Sequence, residues 1–386
     1  MQYNRKLAVN VLATYREHKI VFRAISSAIK NFGTEEVVVV LPHDYKDDIY
    51  LCLGESLLKT ICNNSCVDLK IIPFKWCDSF CKARNIALEN TNSELVLWLD
   101  ADDVVADIDS KGTKELREIF DKNYDSIDMY DVVYNCYGLA GDKEKTIRKA
   151  KIIKRETIKF EKDIHEMPVP INKDKIVKGY IKDVEIDHKP IKDPKISCER
   201  NIKMTERLIK KYPNDIHYKF NYANDLIREG RDVEVMPTLV ELLQSKQTSI
   251  TAKCWAALKL SRSYHKEFSM QLTETYARIA LSYFDDIPET YCILANVYHT
   301  RGCIDDAITL YNIALSKKIG GTQYEGDIDV RYYVYLPATE LSRIHLHLGE
   351  FEKALLYNKY ALNTQYCTEA DKQMREKIIR LLKKSV

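Results

Sequence analysis

The chain has 386 residues, 45% of them hydrophobic and 30% charged, with a formal net charge of +2. That length leaves room for two or three domains, the balance is that of an ordinary soluble protein, and the charge gives no electrostatic case for strong nonspecific nucleic-acid binding. No apolar run approaches the roughly 18 residues of a membrane-spanning helix, and eleven irregularly spaced cysteines suit a reducing cytosol better than a disulfide framework, so a cytoplasmic protein with no membrane span is expected. The N-terminus, Met1 to Lys6, leads into a strand rather than a signal-peptide core. Leu7 to Ala13 reads as that strand, and Glu17 to Lys30 as a helix with Ile20, Val21, Ala24, Ile25, Ala28 and Ile29 on one face. Val37 to Leu41 is a second, buried strand; a polar helical stretch and a strand over Leu69 to Pro73 follow. Trp76 to Leu88 reads as a helix, with Asp78 or Ser79 as its cap. Then the apolar run Leu95-Val96-Leu97-Trp98-Leu99 ends in Asp100-Ala101-Asp102-Asp103. Strands alternating with helices predict a parallel α/β sheet. No G-x-G-x-x-G follows the first strand, which argues against a dinucleotide-binding enzyme.

Carboxylates at the C-terminal end of such a strand lie where open α/β sheets bind ligands. Residues two apart on extended backbone share a face, so Asp100 and Asp102 are expected to converge. Two hard oxygen donors suit a divalent cation, Mn²⁺ or Mg²⁺, of the kind that carries substrate phosphates.

Beyond them, Ile127 to Tyr137 holds two short apolar segments that read as strands, and Lys151 to Arg155 reads as another. Val184-Glu185-Ile186-Asp187-His188 is a strand ending in histidine. Cys62-x3-Cys66 and Cys77-x3-Cys81 have spacing that calls for a zinc check, but without knuckle glycines they read as buried thiols. Pro190 to Pro194 marks a boundary, placing one domain over 1–190 and a second over 191–386. The second is helical. Ser197 to Tyr212 is an amphipathic helix; Ser261, Tyr264, Ala280 and Leu281 recur 34 residues later as Ala295, Tyr298, Ala314 and Leu315. Ala295, Gly302 and Ala307 share their intervals with Ser342, Gly349 and Ala354, and with Ala223, Gly230 and Val235. That period is the tetratricopeptide signature. The unit over 251–284 lacks the glycine, and Lys317 to Asp329 reads as an insertion. Stacked helices offer an extended surface for an acceptor or for homo-oligomerisation.

W-x-D-x-F-x-x-A-R-N-x-A-L over Trp76 to Leu88, followed by an apolar strand ending in D-A-D, resembles the family 2 glycosyltransferases of GT-A fold, in the branch with tetratricopeptide repeats behind the catalytic domain. Ile164-His165-Glu166 and the strand ending in His188 resemble later elements of the same family, in the same order. The resemblance implies a Rossmann-like nucleotide-diphospho-sugar transferase domain followed by an all-α repeat domain. It implies that Asp102 and His188 hold the metal and Asp100 orients ribose and metal. Arg84 would lie near the diphosphate, with Glu166 as base and His165 beside it in the substrate site. Thr14 and Tyr15 occupy the place of the nucleotide-contacting turn after strand one. After strand two, where many relatives carry an acid and a Gly-Ser-Thr-Asp type turn, this chain has Leu41-Pro42-His43-Asp44-Tyr45, with Asp44 as the replacement base-reading acid. The expected reaction is an inverting sugar transfer from a nucleoside-diphosphate donor, UDP-linked, to a protein, peptide or saccharide; a nucleic-acid acceptor stays open. A non-catalytic repeat scaffold with a degenerate GT-A domain and a nucleotidyltransferase are the alternatives.

Overall fold

The computed structural model of the chain describes residues 4–13, 18–43, 49–172, 174–190, 193–318, 323–324 and 328–385. Two compact units, Met1–Met204 and Thr205–Val386, divide inside one helix.

The first unit runs β1 (Leu7–Leu12), α1 (His18–Phe32), β2 (Glu36–Pro42), α2 (Ile49–Asn64), β3 (Asp68–Phe74), α3 (Phe80–Glu89), β4 (Leu95–Asp100), β5 (Asp103–Val105), α4 (Ser110–Asn123), β6 (Met129–Tyr137), β7 (Lys143–Lys154), β8 (Ile158–Glu161), β9 (Met167–Pro170) and β10 (Lys178–His188). Eight strands form one sheet in the order β3-β2-β1-β4-β7-β6-β10-β5, and β8 pairs with β9 alone. Strand alternation explains the layers. Leu7, Val9, Val11, Val37, Val39, Leu95, Leu97 and Leu99 join Ala24, Ile25 and Phe120 in one core. Ala8, Val96 and Trp98 turn the other way, onto Leu88, Ile153 and Phe160, and Val38 and Val40 onto Ala83 and Ala87. Central strands buried on both faces read as continuous apolar runs, as these do.

The predicted parallel sheet holds for six of the eight strands of the main sheet, since β6 and β10 are parallel to each other and run with β4. β3, β2, β1 and β4 are parallel neighbours, but β7 runs antiparallel to β4 and β6, and β5 antiparallel to β10. β4 lies on the opposite side of β1 from β2, so the strand order reverses between β1 and β4. That switch point is where open sheets leave a ligand crevice beyond their carboxyl ends, and Asp100 stands there. Ile127 to Tyr137 gives one strand rather than two. The helix expected from Trp76 begins at Phe80, because Asp78 takes a left-handed backbone (φ 54°) and Ser79 caps the helix by accepting from Lys82 N.

The second unit is all helical. α5 (Pro194–Lys211) carries the division between the units, followed by α6 (Ile216–Arg228), α7 (Asp232–Gln244), α8 (Ile250–Lys266), α9 (Met270–Tyr283), α10 (Pro288–Thr300), α11 (Ile304–Ser316), α12 (Tyr335–His347), α13 (Phe351–Leu362) and α14 (Glu369–Ser385). Each helix from α6 onward packs on the next, in a tetratricopeptide-like array. Ala223, Ser261, Ala295 and Ser342 are fully buried at one helix of each pair. Where that small residue is serine, its hydroxyl donates to the partner helix, Ser261 to Thr273 O at 2.8 Å and Ser342 to Ala354 O at 2.9 Å. Gly230, Gly302 and Gly349 end the first helix of their pairs at φ 71°, 79° and 76°. The pair lacking glycine puts Phe268 there instead, at φ 57°.

Candidate functional site

The site is built on the end of β4. Asp100 closes the strand, Ala101 and Asp102 form a turn, and Asp103 opens β5. The backbone is therefore not extended through Asp102. Asp100 and Asp102 do not share a strand face, so the turn rather than the pleat brings their charges near enough for Asp100 to raise Asp102. Asp103 folds its carboxylate back, and Oδ2 accepts from Asp100 N at 3.0 Å.

Arg84, on α3, lies between two carboxylates. Its Nη2 donates to Asp100 Oδ1 and its Nε to Glu166 Oε1, both at 2.5 Å. The guanidinium is 5% exposed and lies 4.3 Å over the Trp98 ring. Burial works against its charge, but Glu166 and Asp100 more than compensate and raise its pKa. The next residue, Asn85, makes a reciprocal pair with the backbone of Phe160, donating to its O and accepting from its N at 2.8 Å. Consecutive side chains of the Ala83-Arg84-Asn85 motif thus fasten the segment that carries Glu166. His165, with a left-handed backbone at φ 52°, turns the chain just before it.

Asp103 and His188 are direct partners across the β5–β10 pairing. His188 Nδ1 lies 3.0 Å from Asp103 Oδ1 and 3.5 Å from Asp102 Oδ1, and its ring stacks on Tyr134 with centroids 5.7 Å apart. Tyr134 Oη donates to Asp103 Oδ1 at 2.6 Å. Lys151 is fully buried and donates to Asp103 Oδ2 at 2.6 Å and to Asp100 Oδ2 at 3.4 Å. Its position comes from an irregularity. Tyr130 faces Ile152 and Asp131 faces Ala150, so Lys151 is the extra residue of a β-bulge in β7. Bulges re-aim side chains, often beside active sites.

The electrostatics follow from this packing. Burial would raise the Asp100 carboxyl, but Lys151, Arg84 and Lys149 hold it well below the ordinary range. Burial likewise opposes Asp103, and Lys151 outweighs it to lower the value. Asp102 lacks such a cation among the described residues. Burial pushes it up to about 6, with His188 pulling down and Asp100 and Asp103 pushing further up. Burial opposes the His188 charge too, yet the bond to Asp103 and the charge of Asp102 raise it. Lys149 is lowered by burial and by Lys151.

Among the described residues, Asp100, Asp103 and His188 each offer a donor atom within 4.8 Å of the others. Sequence reasoning named Asp100, Asp102 and His188 and missed Asp103, Lys151, Tyr134 and Lys149. The Lys149-Ala150-Lys151 alternation was visible, but not the bulge that aims Lys151. Thr14, Tyr15 and Asp44 lie outside the described residues. No grouping of metal-capable side chains among the described residues contains a cysteine. The cysteines are free, and the expected burial holds for Cys62 and in part for Cys81, which is half-buried, but not for Cys66 and Cys77, which are exposed. Both fall in irregular segments, Cys66 in a turn at φ 55° and Cys77 ahead of α3.

The family model "Glycosyl transferase family 2" matches residues 11–167. No curated protein matches the chain significantly. Similar solved structures include TarS 1-349 of S. aureus, at 15% identity and a TM-score of 0.34 over 84% of this chain and 100% of that one. MamA is 18% identical with a TM-score of 0.36, over 50% and 98% of the two chains. TTC0263, a thermophilic TPR protein of Thermus thermophilus, is 16% identical with a TM-score of 0.32, over 48% and 90%. No helix among the described residues is long and apolar enough to cross a membrane.

Proposed function

We propose that this chain, a glycosyltransferase whose residues 11–167 form a family 2 domain, moves a sugar with inversion from a UDP-linked or similar nucleotide donor to a protein, peptide or saccharide, with help from Mn²⁺ or Mg²⁺. In this reading the catalytic domain spans 1–190 and the repeats 191–386.

The observation that carries the reading is the shared guanidinium of Arg84. It ties Asp100 at the switch point of the sheet to Glu166, the acid suited to act as base. The donor set suits a divalent cation. Asp102 is an acid among acids, and among the described residues its ion-pair partner is His188 rather than a lysine or arginine. An imidazole stands beside it. Asp102 and His188 would hold the cation, and Asp100 would orient it with the ribose. Such a cation supplies Lewis-acid stabilisation of a leaving diphosphate.

The remaining work falls to the chain's own groups. Glu166 Oε1 is fixed by Arg84, which leaves Oε2 to take the proton of the acceptor nucleophile. Arg84, placed near the diphosphate by the family resemblance, is also a positioning residue, because its donors hold Asp100 and Glu166 at a fixed relation. Lys151 and Arg84 keep Asp100 ionised. Thr14, Tyr15 and Asp44 are placed at the nucleotide and His165 beside the substrate, on the family resemblance alone.

The test is a panel of nucleotide-sugars with the purified protein in Mn²⁺, read as melting temperature. One donor is expected to raise it in a metal-dependent way. A panel with no metal-dependent shift would contradict the reading.

A further inference from the structure

The carboxylate of Asp103 is enclosed by protein, at 0% solvent accessibility. A carboxylate has about four lone-pair sites, and three donors and one imidazole nitrogen already converge on this one. Tyr134 Oη and His188 Nδ1 reach Oδ1 at 2.6 and 3.0 Å. Lys151 Nζ and Asp100 N reach Oδ2 at 2.6 and 3.0 Å. The partners come from β4, β6, β7 and β10, so one side chain binds four strands together at the site.

We infer that Asp103 is not itself a metal ligand but a positioning residue, which fixes the His188 imidazole with Nδ1–H donated to Asp103 and so reserves Nε2 as the ligand atom. This rests on the metal reading above and deepens it. Two features of the structure support it beyond the hydrogen bond. Asp103 and His188 are register partners on paired strands, so their separation is set by the sheet rather than by flexible stems. Tyr134 both donates to Asp103 and stacks on the imidazole, which fixes the ring plane as well as the tautomer. Histidines that bind metals generally donate their other ring N–H in this way, and removing the acceptor typically costs about 10–100-fold in metal affinity. Asp102, half-buried and without a lysine or arginine partner among the described residues, is left as the carboxylate to share with the cation.

The test has two arms. The first needs no variant beyond assignment: long-range ¹H–¹⁵N spectra of histidine-labelled, metal-free full-length protein, at alkaline pH where the imidazole is neutral, with His188→Gln used to assign the signal. Nδ1 is expected to carry the proton and Nε2 to be bare. An Nε2–H tautomer overturns the inference. The second arm measures Mn²⁺ affinity for the wild type, Asp103→Asn, His188→Gln and the double variant. Asp103→Asn is expected to weaken Mn²⁺ binding about 10–100-fold, and the double variant to bind no more weakly than His188→Gln alone, because Asp103 acts through His188. Losses that multiply in the double variant would make Asp103 a ligand in its own right and overturn the inference. Wild-type affinity in Asp103→Asn would overturn it as well. If His188→Gln binds Mn²⁺ as tightly as the wild type, the metal assignment itself fails, and the tautomer arm alone then decides the positioning role.

Discussion

Glu166→Gln keeps the side chain's shape and its bond from Arg84 while removing a proton acceptor, so it separates base chemistry from architecture. A general base contributes about 10²–10⁴-fold. Turnover with donor and acceptor should fall by that much while the donor still shifts the melting temperature; unchanged turnover would move the base elsewhere, for instance to Asp163. Glu36 supports the same site from a distance. It is buried and accepts from Asn92 N, Ser93 N, Ser93 Oγ and Lys70 Nζ at 2.7–3.0 Å, which pins the turn that delivers β4. Burial would raise its carboxyl, but these donors, Lys70 first, lower it below the ordinary 4.5. A depressed folded value means stability that is fully present above the unfolded value and lost as pH falls through the folded one. Glu36→Gln should therefore cost about 2–3 kcal/mol at neutral pH, as for bonds to a charged group. Urea titrations should show the gap between variant and wild type narrowing as pH falls below the ordinary 4.5; a gap that stays constant into acid would rule the mechanism out. Asp100 and His188 were legible because strand ends are legible, and Asp102 because it follows one. Asp103 was not, since a third acid in a row carries no mark of being the one that folds inward.

Four inter-helix turns in the repeats allow an internal comparison. At Gly230, Phe268, Gly302 and Gly349 the same two bonds close the helix: the residue's N–H reaches a carbonyl three residues back, and the next N–H reaches one five back. Three of the four positions are glycine, which takes a left-handed backbone at no steric cost. Phe268 bears that conformation with its ring 85% exposed, so little packing offsets the strain. The left-handed penalty is about 1–2 kcal/mol, and glycine's extra chain entropy returns about 0.5–1 kcal/mol of it. Phe268→Gly should stabilise the protein by about 0.5–1 kcal/mol, seen as a higher melting temperature; a destabilised variant would mean that the exposed ring has a partner of its own. The repeat period and its missing glycine were readable because small residues recur at fixed intervals. The reversed strand β7 was not. β7 is a twelve-residue strand of mostly charged and alternating residues, only its apolar end stands out, and nothing local says that it pairs between β4 and β6. α4 was missed because its charged sequence carries just two buried apolar side chains, Leu116 and Phe120, among the charges.

Each compact unit has its own buried core, and every residue assigned to the donor site lies in the first. A chain ending after Lys211, which keeps α5 whole, should retain the metal-dependent melting shift with the donor. It should lose acceptor modification or its oligomeric state, since the helical array supplies the extended surface. Light scattering and an acceptor assay read the two losses separately; a soluble truncation equal to the full chain in both would give the repeats another role. At this scale the sequence was informative about class and silent about substrate, because class lies in periodicity and strand-end chemistry, while the acceptor is read by a surface no motif records. The acids at the end of β4 are expected to serve sugar transfer. The most direct measurement is product analysis of the full-length protein with its stabilising nucleotide-sugar, with Mn²⁺ or EDTA, for the wild type and Asp102→Ala. A nucleoside diphosphate released by the wild type in Mn²⁺, lost in EDTA and lost in a folded Asp102→Ala protein, is the predicted result. Pyrophosphate as the product, or normal turnover by Asp102→Ala, would contradict it.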